Sequence, residues 1–282
     1  MTEMAGGMAV LILAISFLCE YMDATLGMGY GTTLTPLLLL MGFAPMEIVP
    51  AVLVSQLICG ILAGIFHHRE GNVNLKPGDR NFLKIRNVLH PIELYRSVNK
   101  SFPLHLKIAL LLGAGSAIGA AVAVFVAVNI SKFWLKMYIG ITVVSMGVLI
   151  LIFFKRRMAF SIPRIAFIGL LASFNKALSG GGYGPLVTAG QMLSGIEGKN
   201  AVGITSVAEA ITCLAGVILY LLIPGEQITW RLAPVIVLGA AVSVPLSAKS
   251  VKWLRPDILK LGIAVFTILL GAYTIYKTIR GG

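Results

Sequence analysis

Ser179-Gly180-Gly181-Gly182-Tyr183-Gly184-Pro185 sits inside an apolar stretch that begins near Ile165 and resumes from Leu186 to Leu193. A helix asked to carry four glycines and a proline across six positions breaks there, because glycine favours non-helical backbone and proline removes a donor. In hydrocarbon, backbone freed from hydrogen bonding survives only where protein covers it or where it lines a wet cavity. The run is therefore a candidate binding site. Gly27-Met28-Gly29-Tyr30-Gly31 echoes it near the start of the chain.

The surrounding composition fixes the environment. With 57% hydrophobic and 12% charged residues and a mean hydropathy of +0.91, the 282-residue chain is far from a soluble domain, whose charged share is about 25%. The expectation is an all-α polytopic membrane protein with the lipid bilayer as its principal partner. The first seven residues hold Glu3 and no Lys or Arg, and the first basic residue is Arg69. The basic region of a cleavable signal is missing, so the first apolar segment is expected to stay in the mature protein. A net charge of +12 invites a nucleic-acid reading. However, 8 of the 23 basic residues lie between Arg69 and Lys107 and 4 more between Lys155 and Arg164, in loops between apolar spans, where topology explains them. No nucleic-acid partner is expected. Cys19, Cys59 and Cys213 are isolated in apolar segments and read as small core residues.

A bilayer core of about 30 Å needs about 20 apolar residues per helix. On that measure the chain divides into ten segments, approximately 8–26, 31–42, 46–67, 104–128, 132–154, 162–178, 184–194, 199–223, 231–250 and 256–278. Segments 31–42 and 184–194 are too short to span; each follows a glycine run and ends at a glycine, Gly42 or Gly195. Both read as returning arms of broken elements, the places where transporters bind substrate.

Superimposing the two glycine runs at an offset of 153 residues aligns Ala24/Ala177, Gly27/Gly180, Gly29/Gly182, Tyr30/Tyr183, Gly31/Gly184, Thr35/Thr188, Leu40/Leu193, Gly42/Gly195, Val49/Val202 and Val54/Val207. Ten identities in 31 ungapped positions predict a duplication, with repeats over 1–154 and 155–282. Five segments per repeat is an odd number, so the second repeat is expected upside down relative to the first. Basic loops 69–103, 155–164 and 249–260 are expected in the cytoplasm of a bacterial inner-membrane protein, with the N-terminus and the 224–230 turn outside.

Helices restarting at Gly31 and Gly184 offer unpaired N–H groups and the positive end of a helix dipole. Two such ends facing each other make an anion site. Gly29, Tyr30, Gly31, Thr32 and Thr33 line it from the first half, with Thr35 close by; Gly180, Gly181, Gly182, Tyr183 and Gly184 line it from the second. For Gly113, Gly115 and Gly119 close helix packing is the preferred reading. Lys176, three residues before the second run, is a cation inside an apolar segment and needs a partner or a function. Asp23 stands at its offset position and is the expected partner; the alternatives are an anion-facing or a snorkelling Lys176. Glu20, Asp23, Ser55, Gln56, Ser206 and Glu209 are candidate coupling or cavity-lining residues, since a membrane carboxylate can carry a proton. His67, His68, His90 and His105 lie in or beside loop 69–103 without carboxylate or Cys spacing for a metal, and neither metal nor cofactor is expected.

Leu26-Gly27-Met28-Gly29-Tyr30-Gly31 with Pro36 following, Ser179 to Pro185, and the duplicated hydropathy around them resemble the TauE/SafE family of sulfite exporters and related organosulfonate transporters, over nearly the whole chain. Met28 stands where the family's first run often has glycine. The resemblance implies a small anionic substrate, sulfite or an organosulfonate, moved by a secondary transporter, with export the expected direction, and leaves room for a homo-oligomer. A channel or uniporter for the same anions is the first alternative. An intramembrane serine hydrolase using Ser179 and Lys176 is the second, because a nucleophile and a base three residues apart share a helix face.

Overall fold

The computed structural model describes residues 6–76, 103–153, 162–193, 196–222, 232–251, 253 and 256–280, and these form helices and short connections. The helices are α1 (Gly6–Leu26), α2 (Tyr30–Leu40), α3 (Pro45–Arg69), α4 (Leu104–Ala114), α5 (Ser116–Asn129), α6 (Lys132–Phe153), α7 (Ile162–Ser179), α8 (Tyr183–Leu193), α9 (Gly198–Leu222), α10 (Leu232–Ser250) and α11 (Pro256–Arg280). Among the described residues, seven spans are long and apolar enough to cross a membrane, with α4 and α5 counted together as Leu104–Asn129. The chain is thus an all-helical polytopic membrane protein. Most of loop 69–103, residues 155–161 of the 155–164 connection, the 224–230 connection, Gly195 and His90 lie outside the described residues.

Local chemistry sets the ends. Pro45 opens α3 at its first turn, where a missing N–H costs nothing, and the Glu47 carboxylate accepts from the Ala44 N–H at 3.1 Å. α2 and α8 are 11 residues each, about 16 Å at 1.5 Å per residue, about half the thickness of a bilayer core and too short to span it. The expected single segment 104–128 is instead two helices. Gly115 separates them, and the Ser116 hydroxyl donates back to the Leu112 carbonyl at 3.0 Å, a bond that bends helices.

α3 and α9 run antiparallel through the centre. Cβ atoms placed on Gly60, Gly64 and Gly216 would meet the Ser206 carbonyl, Val207 and Leu53. α6 and α11 are also antiparallel, joined through Gly140 against Ile275 and Gly147 against Ile268. By contrast α1 lies parallel to α10, with Gly239 against the Leu13 carbonyl, and α7 lies parallel to α4–α5, with Gly119 against Leu170 and Ser173. Small residues at these crossings let backbones approach, which is how helices associate where lipid removes the hydrophobic drive. Leu18, Phe125, Phe167 and Leu238 sit on the outside, each more than half exposed, as a lipid-facing surface should be.

Candidate functional site

Both glycine breaks adopt the same turn. Gly27 and Gly180 have φ of 70° and 73°, and Gly29 and Gly182 have φ of 131° and 82°, a region that side chains avoid. The Gly27 N–H donates to the Asp23 carbonyl at 2.6 Å, and the Gly180 N–H to the Lys176 carbonyl at 2.8 Å, so each turn closes the preceding helix in the same way. The breaks then cross. A Cβ on Gly31 would stand 1.8 Å from the Gly180 carbonyl oxygen, and one on Gly184 would stand 2.5 Å from that of Gly27. Thr188 Oγ1 donates to the Gly27 carbonyl at 2.7 Å, while Thr35 Oγ1 lies 2.7 Å from a Cβ placed on Gly180. The close approaches have counterparts at the 153-residue offset, but the Thr188 hydrogen bond does not.

The expected site residues of both breaks are brought together and all are buried. Tyr30 and Tyr183 are fully buried and anchor separate apolar clusters; the Tyr30 hydroxyl bonds Ser55 Oγ at 2.6 Å. Thr32 Oγ1 donates to the Gly29 carbonyl at 3.2 Å. Thr33, Thr35 and Tyr183 are different: their hydroxyls are buried without a hydrogen-bond partner, a costly state for a polar group. The two helix starts also differ. The α2 start is held by Asp23, whose Oδ1 accepts the Tyr30 N–H at 3.2 Å. The residue at the corresponding position before α8 is Lys176, so α8 has no acid at that place.

Lys176 does not pair with Asp23. Its Nζ lies 2.6 Å from Glu209 Oε1 and donates to Gln56 Oε1 at 3.2 Å, and Gln56 Nε2 donates onward to Glu20 Oε2 at 2.8 Å. The expected Asp23–Lys176 pair is corrected to a Glu209–Lys176–Gln56–Glu20 chain. The physical reason is that the central helices α3 and α9 present Gln56 and Glu209 to the ammonium, while Asp23 is turned to the start of α2. With 1% of its surface exposed, Lys176 does not snorkel either. Its neighbour Ser179 donates to the Asn175 carbonyl at 2.7 Å, so Ser179 and Lys176 are each engaged elsewhere and do not form a nucleophile–base pair.

Several polar residues around the crossing escaped the sequence reading. The Tyr138 hydroxyl donates to Asn175 Oδ1, and a Cβ on Gly182 would meet Asn175 Cβ at 3.3 Å. Thr188 and Gln191 both bond Thr205, each at 2.9 Å. A polar Asn beside Lys176 in an apolar segment was the available signal for Asn175, and the Thr35/Thr188 identity was the signal for Thr188. Ser206 only returns a bond to the Val202 carbonyl at 3.1 Å. Among the histidines, His67 Nε2 bonds the Ala24 carbonyl at 2.8 Å and Nδ1 accepts from Asn72 at 3.0 Å, while His105 accepts from the Asn74 N–H at 3.0 Å.

The sequence profile described as "Sulfite exporter TauE/SafE" matches residues 12–79 and 93–274. Among characterised sequences, the chain is similar to "Probable membrane transporter protein YtnM" of Bacillus subtilis (strain 168), with 24% identity over 280 residues, 94% of this chain and 82% of the relative. No solved structure matches the chain.

Proposed function

Because the chain belongs to the TauE/SafE sulfite exporter family, a family of membrane transporters, we propose that it is a secondary transporter moving a small sulfur-containing oxyanion, sulfite or an organosulfonate, across the bacterial inner membrane by alternating access. The observation that carries this reading is the crossing of two glycine-broken helices at a buried centre. The anion binds between Gly29–Thr33 and Gly180–Gly184. Main-chain N–H groups at the α8 start face it with the positive end of the helix dipole. The partnerless hydroxyls of Thr33 and Thr35 are donors for its oxygens. Lys176 uses two of its three N–H groups on Glu209 and Gln56 and adds the local positive charge.

Alternation follows from two inverted five-segment repeats, 1–154 and 155–282, rocking about this crossing. Support comes from equivalent helices that run antiparallel, α3 with α9 and α6 with α11, and from the exchanged pairings of α1 with α10 and α7 with α4–α5. The cytoplasmic end is the one where α3 stops and α9 begins, next to Ala248 through the Asn72 bond of 3.0 Å; loops 69–103, 155–164 and 249–260 attach there and carry the basic residues.

The test is flux of sulfite, thiosulfate and ethanesulfonate in proteoliposomes. Saturable uptake with acceleration by the same anion on the far side is the expected result. Absence of flux for all three overturns the substrate class, and flux that rises linearly without such acceleration overturns alternating access in favour of a channel.

A further inference from the structure

The polar chain beside the crossing does not balance in charge. Glu20, Asp23, Glu209 and Lys176 are 2%, 8%, 4% and 1% exposed, and together they count three carboxylates against one ammonium. The ammonium is committed: it contacts Glu209 at 2.6 Å. Its remaining bond goes to Gln56 Oε1, which fixes the carboxamide, because an ammonium can only donate and the amide oxygen must therefore face it. Gln56 Nε2 is then aimed at Glu20.

Glu20 and Asp23, three residues apart and so on one face of α1, receive only neutral donors: the Gln56 amide for one and the Tyr30 N–H for the other. A carboxylate held out of water with no cation in contact carries a desolvation penalty of several kcal/mol. Protonation removes the charge and the penalty with it. One turn before Glu20 on the same face lies Ser16, fully buried, with its hydroxyl lacking any partner. The other groups packed on this face supply no cation. Cys19, Cys59 and Cys213 are buried thiols, and Tyr30 is bonded to Ser55. His67 is held by the Ala24 carbonyl and Asn72. α10 offers only Ser243 and Ser247, each spent on its own helix, and α11 contributes Ile263 and Ala264.

We infer that Glu20 and Asp23 form a proton-binding site, at least one of them protonated at neutral pH, and that this site couples anion transport to protons. Coupling rests on the proposed transport function; the proton site does not. Asp23 holds the start of α2 and Lys176 ends the helix before α8, so both lie where an anion would raise the cost of negative charge. Linkage then makes anion and proton bind together: a bound anion takes up a proton, and lower pH tightens the anion. The two move in the same direction.

Two measurements on the full-length protein separate the claims. Hydrogen/deuterium-sensitive infrared spectra of purified protein at neutral pH should contain the carbonyl band of a protonated carboxylic acid, lost or reduced in Glu20→Gln or Asp23→Asn. Both variants keep the acceptor that Gln56 or Tyr30 requires, so the fold is retained. Absence of the band, or its persistence unchanged in both variants, overturns the proton site whether or not the protein transports anything. In proteoliposomes, ethanesulfonate, which does not titrate near neutral pH, should accumulate against its gradient when the side of addition is acid, and Glu20→Gln should lose that accumulation. Wild-type ethanesulfonate flux that ignores the pH gradient overturns the coupling and leaves transport standing. An absence of flux for every anion tested overturns the transport function, and the coupling with it.

Discussion

At the scale of one residue, Lys176 is a fully buried cation that needs partners to stay inside the fold. Burial of its ammonium is offset by the Glu209 contact and the Gln56 bond, and such a pair is more expensive to break than to replace. Lys176→Met strands Glu209 as an unpaired buried acid and is expected to destabilise the protein by about 3–5 kcal/mol, read as lost folded yield and a lowered unfolding midpoint in detergent. Lys176→Met combined with Glu209→Leu removes both charges and is expected to recover most of that stability. The double variant should still fail to bind anion, because the local positive charge has gone. If it remains as unstable as the single variant, the pair is not what holds Lys176.

At the scale of the element, the two broken helices make the same turn with unequal bonding. Thr188 donates to the Gly27 carbonyl at 2.7 Å, whereas Thr35, its counterpart at the offset, has no partner. Thr188→Val should therefore cost about 1–3 kcal/mol of stability, the penalty for losing a buried bond. Thr35→Val should cost less or even stabilise, yet weaken anion binding, as measured by paired unfolding and binding titrations. Equal effects on stability would show that Thr35 is simply structural. The elements themselves were legible in the sequence: the short arms ending near Gly42 and Gly195 appear as α2 and α8. The break between α4 and α5 was not, since a lone Gly115 in an apolar run is also what ordinary helix packing uses, and the Ser116 bond back to the Leu112 carbonyl is a contact that spacing does not announce.

At the scale of the whole molecule, the proposed inverted arrangement makes a topological prediction. Lys199 at the start of α9 and Lys132 at the start of α6 belong to opposite ends. With the three native cysteines buried, Lys199→Cys should react with a membrane-impermeant maleimide only from the cytoplasmic side and Lys132→Cys only from outside; labelling of both from one side would overturn the topology. The sequence by itself determined the spans, the two breaks and their pairing at 153 residues. Hydrocarbon tolerates only long apolar helices, and a glycine run interrupts them wherever it falls. Tertiary structure alone decided who meets whom inside. The offset places Asp23 and Lys176 at corresponding positions in the sequence, but correspondence is not contact: helix rotation brought Lys176 to Glu209 and Gln56 and left Asp23 holding α2. The rotation of a helix about its axis is set by packing across all its neighbours, and no local run of residues encodes it.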